Sequence, residues 1–149
     1  MLAAGALAIG GLLVGVFVGR TARRQRTPIV RLGVSEQSPF AHATVHGDTA
    51  YLSGVTAAAD GNPLSEEDSV EEQTRRVLAV IDKRLALAGT DKTRLLQAQV
   101  WLKDIHRDFA GMNRAWNDWV GSNKPVRATV EARLVKPSQL VEIQVVAAL

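Results

Sequence analysis

The sequence predicts an α+β domain: a sheet with strands and helices in the order β-β-β-α-β-α-β-β, and two helices on one face. Three observations carry this. Several segments alternate apolar and polar side chains with period two. Two segments instead repeat apolar residues at helical spacing. Each helical segment has a single apolar stripe, so two helices cover only one face of the sheet. The other face has two open fates, solvent or burial against another subunit.

The elements follow in order. Thr27-Pro28 breaks any preceding helix and opens the domain. Ile29–Val34 alternates weakly as a first strand. Ala43–His46 and Thr49–Gly54 read as strands around Gly47-Asp48, a two-residue hairpin signal. Ala57–Ser65 reads as a loop through Asp60-Gly61-Asn62-Pro63. Ser69-Val-Glu-Glu72 has the form of a capping box, with Ser69 as N-cap and Glu72 at N3. Val70, Val77, Leu78, Ile81, Leu85 and Ala88 then recur on one helix face, Glu71, Arg75, Asp82 and Lys83 take the other, and Gly89 ends the helix. Leu96, Ala98, Val100 and Leu102 alternate with polar neighbours as a half-buried strand. Asp108 to Val120 is helical through Phe109, Met112, Trp116 and Val120, with His106 in a solvated loop before it. Val126–Leu134 and Val141–Ala148 are two more strands, joined through Lys136-Pro137-Ser138.

Composition narrows the function. With 149 residues and no cysteine, the chain is one domain in size and holds no disulfide, thiolate nucleophile or cysteine-ligated metal. The net charge of +3 is uneven: Arg20, Arg23, Arg24, Arg26 and Arg31 all precede the first acidic residue, Glu36. From residue 32 onward there are 13 basic and 15 acidic side chains, a net of −2, so the domain lacks the basic surface that nucleic-acid binding requires. Met1–Gly19 has no charged side chain and, as a helix, would span roughly 28 Å, about the thickness of a bilayer core. Residues 20–28 form a basic linker, and arginines after a span favour the cytoplasmic side. The expectation is a single-pass N-terminal membrane anchor, Met1–Gly19, carrying a cytoplasmic domain over residues 29–149. The alternatives are a cytoplasmic protein whose extension is a start-site artefact, or an organellar one if the leader is a transit peptide.

The chain has no P-loop, GxGxxG or nucleophile elbow. His42 and His46 share one strand parity, but no acidic residue completes a metal set, and no metal site is expected. Arg127 and Glu142 stand out. Both occupy polar-parity positions on strands that read as well buried. A guanidinium can grip a carboxylate through two parallel hydrogen bonds, and a nearby carboxylate can hold a water and accept its proton. Together they suit a small substrate with a carboxylate beside an electrophilic carbon. The alternative is structural: the two pair with each other, or with Glu131 and Arg133, across the strands.

Tyr51-Leu-Ser-Gly54, Leu87-Ala-Gly89, Val100-Trp-Leu-Lys-Asp104, Phe109-Ala-Gly-Met-Asn113, Pro125-Val-Arg-Ala128 and Val141-Glu-Ile143 followed by Ala147-Ala148 resemble the YjgF family, the reactive intermediate deaminases (RidA). The resemblance runs from about Ile29 to Leu149. It is closest to the YoaB-like branch, through Met112-Asn-Arg-Ala-Trp-Asn-Asp-Trp119 and Pro125-Val-Arg127, with the N-terminal hydrophobic segment as an addition. It implies a chorismate-mutase-like α+β fold with a mixed sheet, and a homotrimer with sites in the clefts between subunits. It implies hydrolysis of enamine/imine intermediates such as 2-aminoacrylate to 2-keto acids and ammonia, with no cofactor. On that resemblance the carboxylate-binding arginine falls on Arg127 and the water-positioning glutamate on Glu142. The substrate-binding positions fall on Phe40, Ser53, Gly54, Asn113 and Thr129. Two of these depart from the family pattern: Phe40 stands where active deaminases usually carry tyrosine, and Thr129 replaces a cysteine. The other reading is a non-catalytic module of the same fold that binds keto acids or amino acids.

Overall fold

A computed structural model describes residues 26–65 and 67–149. Seven strands form one mixed sheet: β1 (Ile29–Leu32), β2 (Ala43–His46), β3 (Thr49–Leu52), β4 (Val55–Thr56), β5 (Leu95–Leu102), β6 (Val126–Glu131) and β7 (Val141–Ala148). The spatial order is β1-β2-β3-β7-β5-β6, with β4 also paired to β7. Among the described residues only β5 and β6 run parallel, and α2 (Ile105–Val120) makes the crossover between them. The last strand, β7, inserts between β3 and β5, antiparallel to both. The α+β class, the mixed sheet and the two helices on one face are as the sequence predicts. β6 and β7 are not neighbours, however; β5 lies between them.

Local chemistry explains the ends of the elements. Gly47, at φ +59, supplies the left-handed first residue of a two-residue hairpin turn, and His46 pairs with Thr49 across it. In α1 (Val70–Leu87) both arms of the capping box form: Glu72 N donates to Ser69 Oγ, and Ser69 N donates to Glu72 Oε2 at 2.9 Å. α2 begins three residues before the sequence-predicted start, because Asp104 caps it by accepting from Arg107 N at 3.0 Å. His106 is therefore an exposed residue of the first helical turn and not of a loop. β4 is a two-residue strand inside a stretch too short to show any period. β6 stops at Glu131, short of the expected Leu134, and the Glu131 carboxylate accepts from Ile105 N at the start of α2.

The core lies between the helices and one sheet face, and register identifies that face. Ala43, Ala50, Leu52, Val55, Ala98, Val100, Leu102, Val141, Ile143, Val145 and Ala147 are buried beneath Val77, Leu78, Ile81, Leu85, Met112 and Trp116 of the helices. A bulge between Leu95 and Gln97 puts Leu95 into this core and leaves Leu96 about half exposed, reversing the parity expected there. Phe109 is likewise exposed, and Asp108 takes the buried position beside it.

The expectation of a membrane-anchored protein is corrected. Among the described residues no helix is long and apolar enough to cross a membrane. The longest, α1, has 18 residues but carries Glu71, Glu72, Arg75, Arg76, Asp82, Lys83 and Arg84, so it is a surface-packed amphipathic helix. The segment Met1–Gly19, on which that expectation rested, lies outside the described residues.

Candidate active site

Arg127 is on the helix side of the sheet. It pairs in register with Ala98, a core residue, and its side chain runs under α2. Its Nη2 donates to Asn113 Oδ1 at 2.7 Å, its Nη1 reaches Met112 Sδ at 3.8 Å, and its Cζ lies 5.1 Å from the Trp116 ring centroid. Burial lowers its basicity, but a guanidinium keeps its charge. Thr129, two residues on, shares this face; its Oγ1 is buried with no hydrogen-bond partner.

Glu142 is on the other face. Its register partners are Trp101 on β5 and Thr56 on β4, while its neighbours Val141 and Ile143 point into the core. Gly54 closes one side of it: a Cβ there would collide with Glu142 Oε1. Partial burial raises the carboxyl above the usual glutamate range. Glu142 has no salt bridge among the described residues, and neither does Arg127. The purely structural pairing of the two is therefore absent. Glu131 is occupied at the α2 N-terminus instead.

The expected site residues thus divide into two groups. Arg127, Asn113 and Thr129 gather under α2, together with Met112 and Trp116. Glu142 and Gly54 gather on the outer face, and one chain does not bring the two groups together. Ser53 adjoins Gly54, but its hydroxyl turns to the helix layer, where Arg84 Nη1 donates to it at 2.8 Å. Phe40 is 53% exposed and lines a separate shallow hollow with Arg31, Val34, Ser38 and Thr44. An open hollow of about 700 Å³ beside Glu131, Arg133 and Val135 includes none of these residues.

Helical spacing places Met112 and Trp116 on the apolar stripe of α2. They are core, and they also support the guanidinium. Their signal was present in the spacing, since Trp116 neighbours Met112 at i, i+4 and Asn113 at i, i+3 on α2.

Comparison with known proteins agrees with this architecture. The sequence profile described as Endoribonuclease L-PSP matches residues 33–149. A RutC family protein of Haemophilus ducreyi is 39% identical over 122 residues, which is 81% of this chain and 97% of the relative. The chain belongs to the YjgF/RutC family. Within it, the RutC family protein YoaB of Escherichia coli is 37% identical over 116 residues, covering 77% of this chain and 95% of YoaB. The crystal structure of a YjgF family protein from Neisseria meningitidis superposes with a TM-score of 0.71 at 35% identity, covering 83% of this chain and 96% of that one. The YjgF/RutC match begins at residue 33, so the N-terminal apolar and basic segments lie outside it.

Proposed function

We propose that this YjgF/RutC chain hydrolyses small, carboxylate-bearing enamine/imine intermediates of the 2-aminoacrylate type to 2-keto acids and ammonia, at a site shared between two copies. One observation carries the reading. Arg127 is a partly buried cation without an anion, and Glu142 is a partly buried acid without a cation. Two opposite, unneutralised groups on opposite sheet faces are complementary between chains and not within one. The outer face supports the same assembly. Tyr51, Val126 and Val130 are 48%, 72% and 44% exposed there, and Trp101 lies between Glu142 and Val130 in one row. A homotrimer in which the outer face of one copy packs along the β6 edge of the next would bring one copy's Glu142 towards the next copy's Arg127.

The chemistry follows from the two groups. Arg127, oriented by Asn113 and stacked on Trp116, grips the substrate carboxylate and leaves the adjacent C=N carbon more electrophilic. Glu142 as carboxylate orients a water and takes its proton as oxygen bonds to that carbon. The tetrahedral adduct then collapses: Glu142 returns its proton to nitrogen, the hydroxyl proton follows to nitrogen as C=O forms and the C–N bond breaks, and ammonia and a 2-keto acid leave. Phe40 favours a second reading, a keto-acid-binding module without turnover, because it supplies no hydroxyl where active deaminases carry one.

The test supplies the purified full chain with 2-aminoacrylate or an amino-acid-oxidase-derived imine and measures keto-acid formation. Arg127→Ala should raise KM and lower kcat/KM by about 10²-fold, from the loss of charge-assisted hydrogen bonds. Glu142→Gln should lower kcat by about 10²-fold or more. An Arg127→Ala variant as fast as the parent refutes the clamp. Keto-acid binding in calorimetry without turnover selects the binding module. Cleavage of RNA with a steep salt dependence, the activity in the matching profile's description, would replace both readings.

A further inference from the structure

Arg84 on α1 is a cation that the proposed reaction does not use, and it is only 5% exposed. It falls seven residues after Val77 and three after Ile81, on the buried stripe, where an apolar side chain would fill the space without desolvating a charge. Its Nη1 donates to Ser53 Oγ at 2.8 Å, and Ser53 Oγ reaches the His42 carbonyl at 3.4 Å. Its Nη2 reaches Asp60 Oδ1 at 3.4 Å, and its Nε is buried without a partner. Asp60 is the one non-glycine residue among those described with a left-handed backbone, at φ +57. The guanidinium therefore ties α1 to both ends of the segment 53–60. Inside that bracket lie Gly54, which packs against Glu142, and Thr56, its cross-strand partner.

We propose that Arg84 is a positioning residue for the Glu142 water site: by fixing Ser53 at one end and Asp60 at the other, it holds Gly54 and Thr56 as the wall that shields the Glu142 carboxyl. This rests on the reading of Glu142 as the group that orients water. The groups facing Glu142 are Gly54, Thr56 on β4 and Trp101 on β5, none of them charged. Loosening the wall admits water and lowers the Glu142 midpoint, whereas loss of the Arg84 charge by itself would raise it, so the direction of the shift separates the two effects.

The experiment is a carboxyl-carbon NMR titration of the full-length protein labelled at glutamate, with Glu142 assigned by its loss in Glu142→Gln. In Arg84→Met the Glu142 midpoint is expected to fall toward the ordinary glutamate value while the other glutamates stay in place. Ser53→Ala, which cuts one of the two ties, should give part of that fall. Under turnover, Arg84→Met should lower kcat about tenfold with KM unchanged, because the carboxylate clamp is elsewhere. A folded Arg84→Met protein with an unmoved Glu142 midpoint, or with a raised KM and parental kcat, overturns the inference. Should that variant fail to fold, Arg84→Lys, which keeps the charge but has one nitrogen in place of the two that reach Ser53 and Asp60, takes its place under the same criterion. If the parent turns over no imine, the proposed activity fails, and the titration still decides the role of Arg84.

Discussion

Arg127 and Glu142 show how one residue's surroundings decide its chemistry. Both read as polar-parity positions on buried strands, yet Arg127 meets Asn113 and Trp116 while Glu142 meets Gly54 and Trp101. Burial raises the Glu142 carboxyl, and the sign of the consequence follows. Its folded-state affinity for a proton exceeds the unfolded one. The folded state is thus favoured while the group is protonated and loses that advantage as pH rises from the ordinary carboxylate range through the raised value. Glu142→Gln should therefore be more stable than the parent at neutral pH, and this gain should vanish below about pH 4, where the parent is also neutral. Urea unfolding at both pH values checks this; an equal difference at the two would mean that Glu142 is not shifted. Arg84 was legible in principle, since its spacing from Val77 and Ile81 puts it on the apolar stripe of α1. Its partners, Ser53 and Asp60, are 31 and 24 residues away in sequence, and no local pattern encodes them.

At the scale of elements, α1 was readable almost whole, because its signals are local. Ser69, Glu72 and the apolar stripe all lie within one helix and its cap. Ser69→Ala removes the acceptor for Glu72 N and should cost about 1 kcal/mol in urea unfolding, with the change in the midpoint and not in the slope. A change under a few tenths of a kcal/mol would mean that the capping box adds little. β6 was the least readable element. Its alternation is real, but the apolar set, Val126 and Val130, faces outward and the set holding Arg127 and Thr129 faces the helices. Period two shows that a strand has two kinds of face. It does not show which of them meets the core, because α2 and a second surface compete for the same apolar row. β4 escaped for a simpler reason: two residues cannot display a period.

For the whole molecule, the outer sheet face governs the proposed assembly, with Tyr51, Val126 and Val130 exposed on it. Val130 closes the row Thr56–Glu142–Trp101–Val130 at the sheet edge. Val130→Asp should leave the circular dichroism of the chain unchanged. It should also reduce the mass in analytical ultracentrifugation toward that of one chain and abolish turnover, because Glu142 and Arg127 would no longer share a substrate. An unchanged mass would mean that this face meets solvent. The sequence by itself determined the α+β class, the two amphipathic helices with the capping box of α1, the β2–β3 hairpin and the residue types able to grip a carboxylate and activate water. These depend on neighbours within one helical turn or one hairpin, where spacing and geometry are the same thing. Only the tertiary structure decided that β7 enters between β3 and β5, that Arg127 and Glu142 face opposite ways, and that Arg84 reaches both Ser53 and Asp60. Those outcomes depend on which distant segments pair, and strand pairing is chosen by the burial of the whole sheet, not by any one stretch of it.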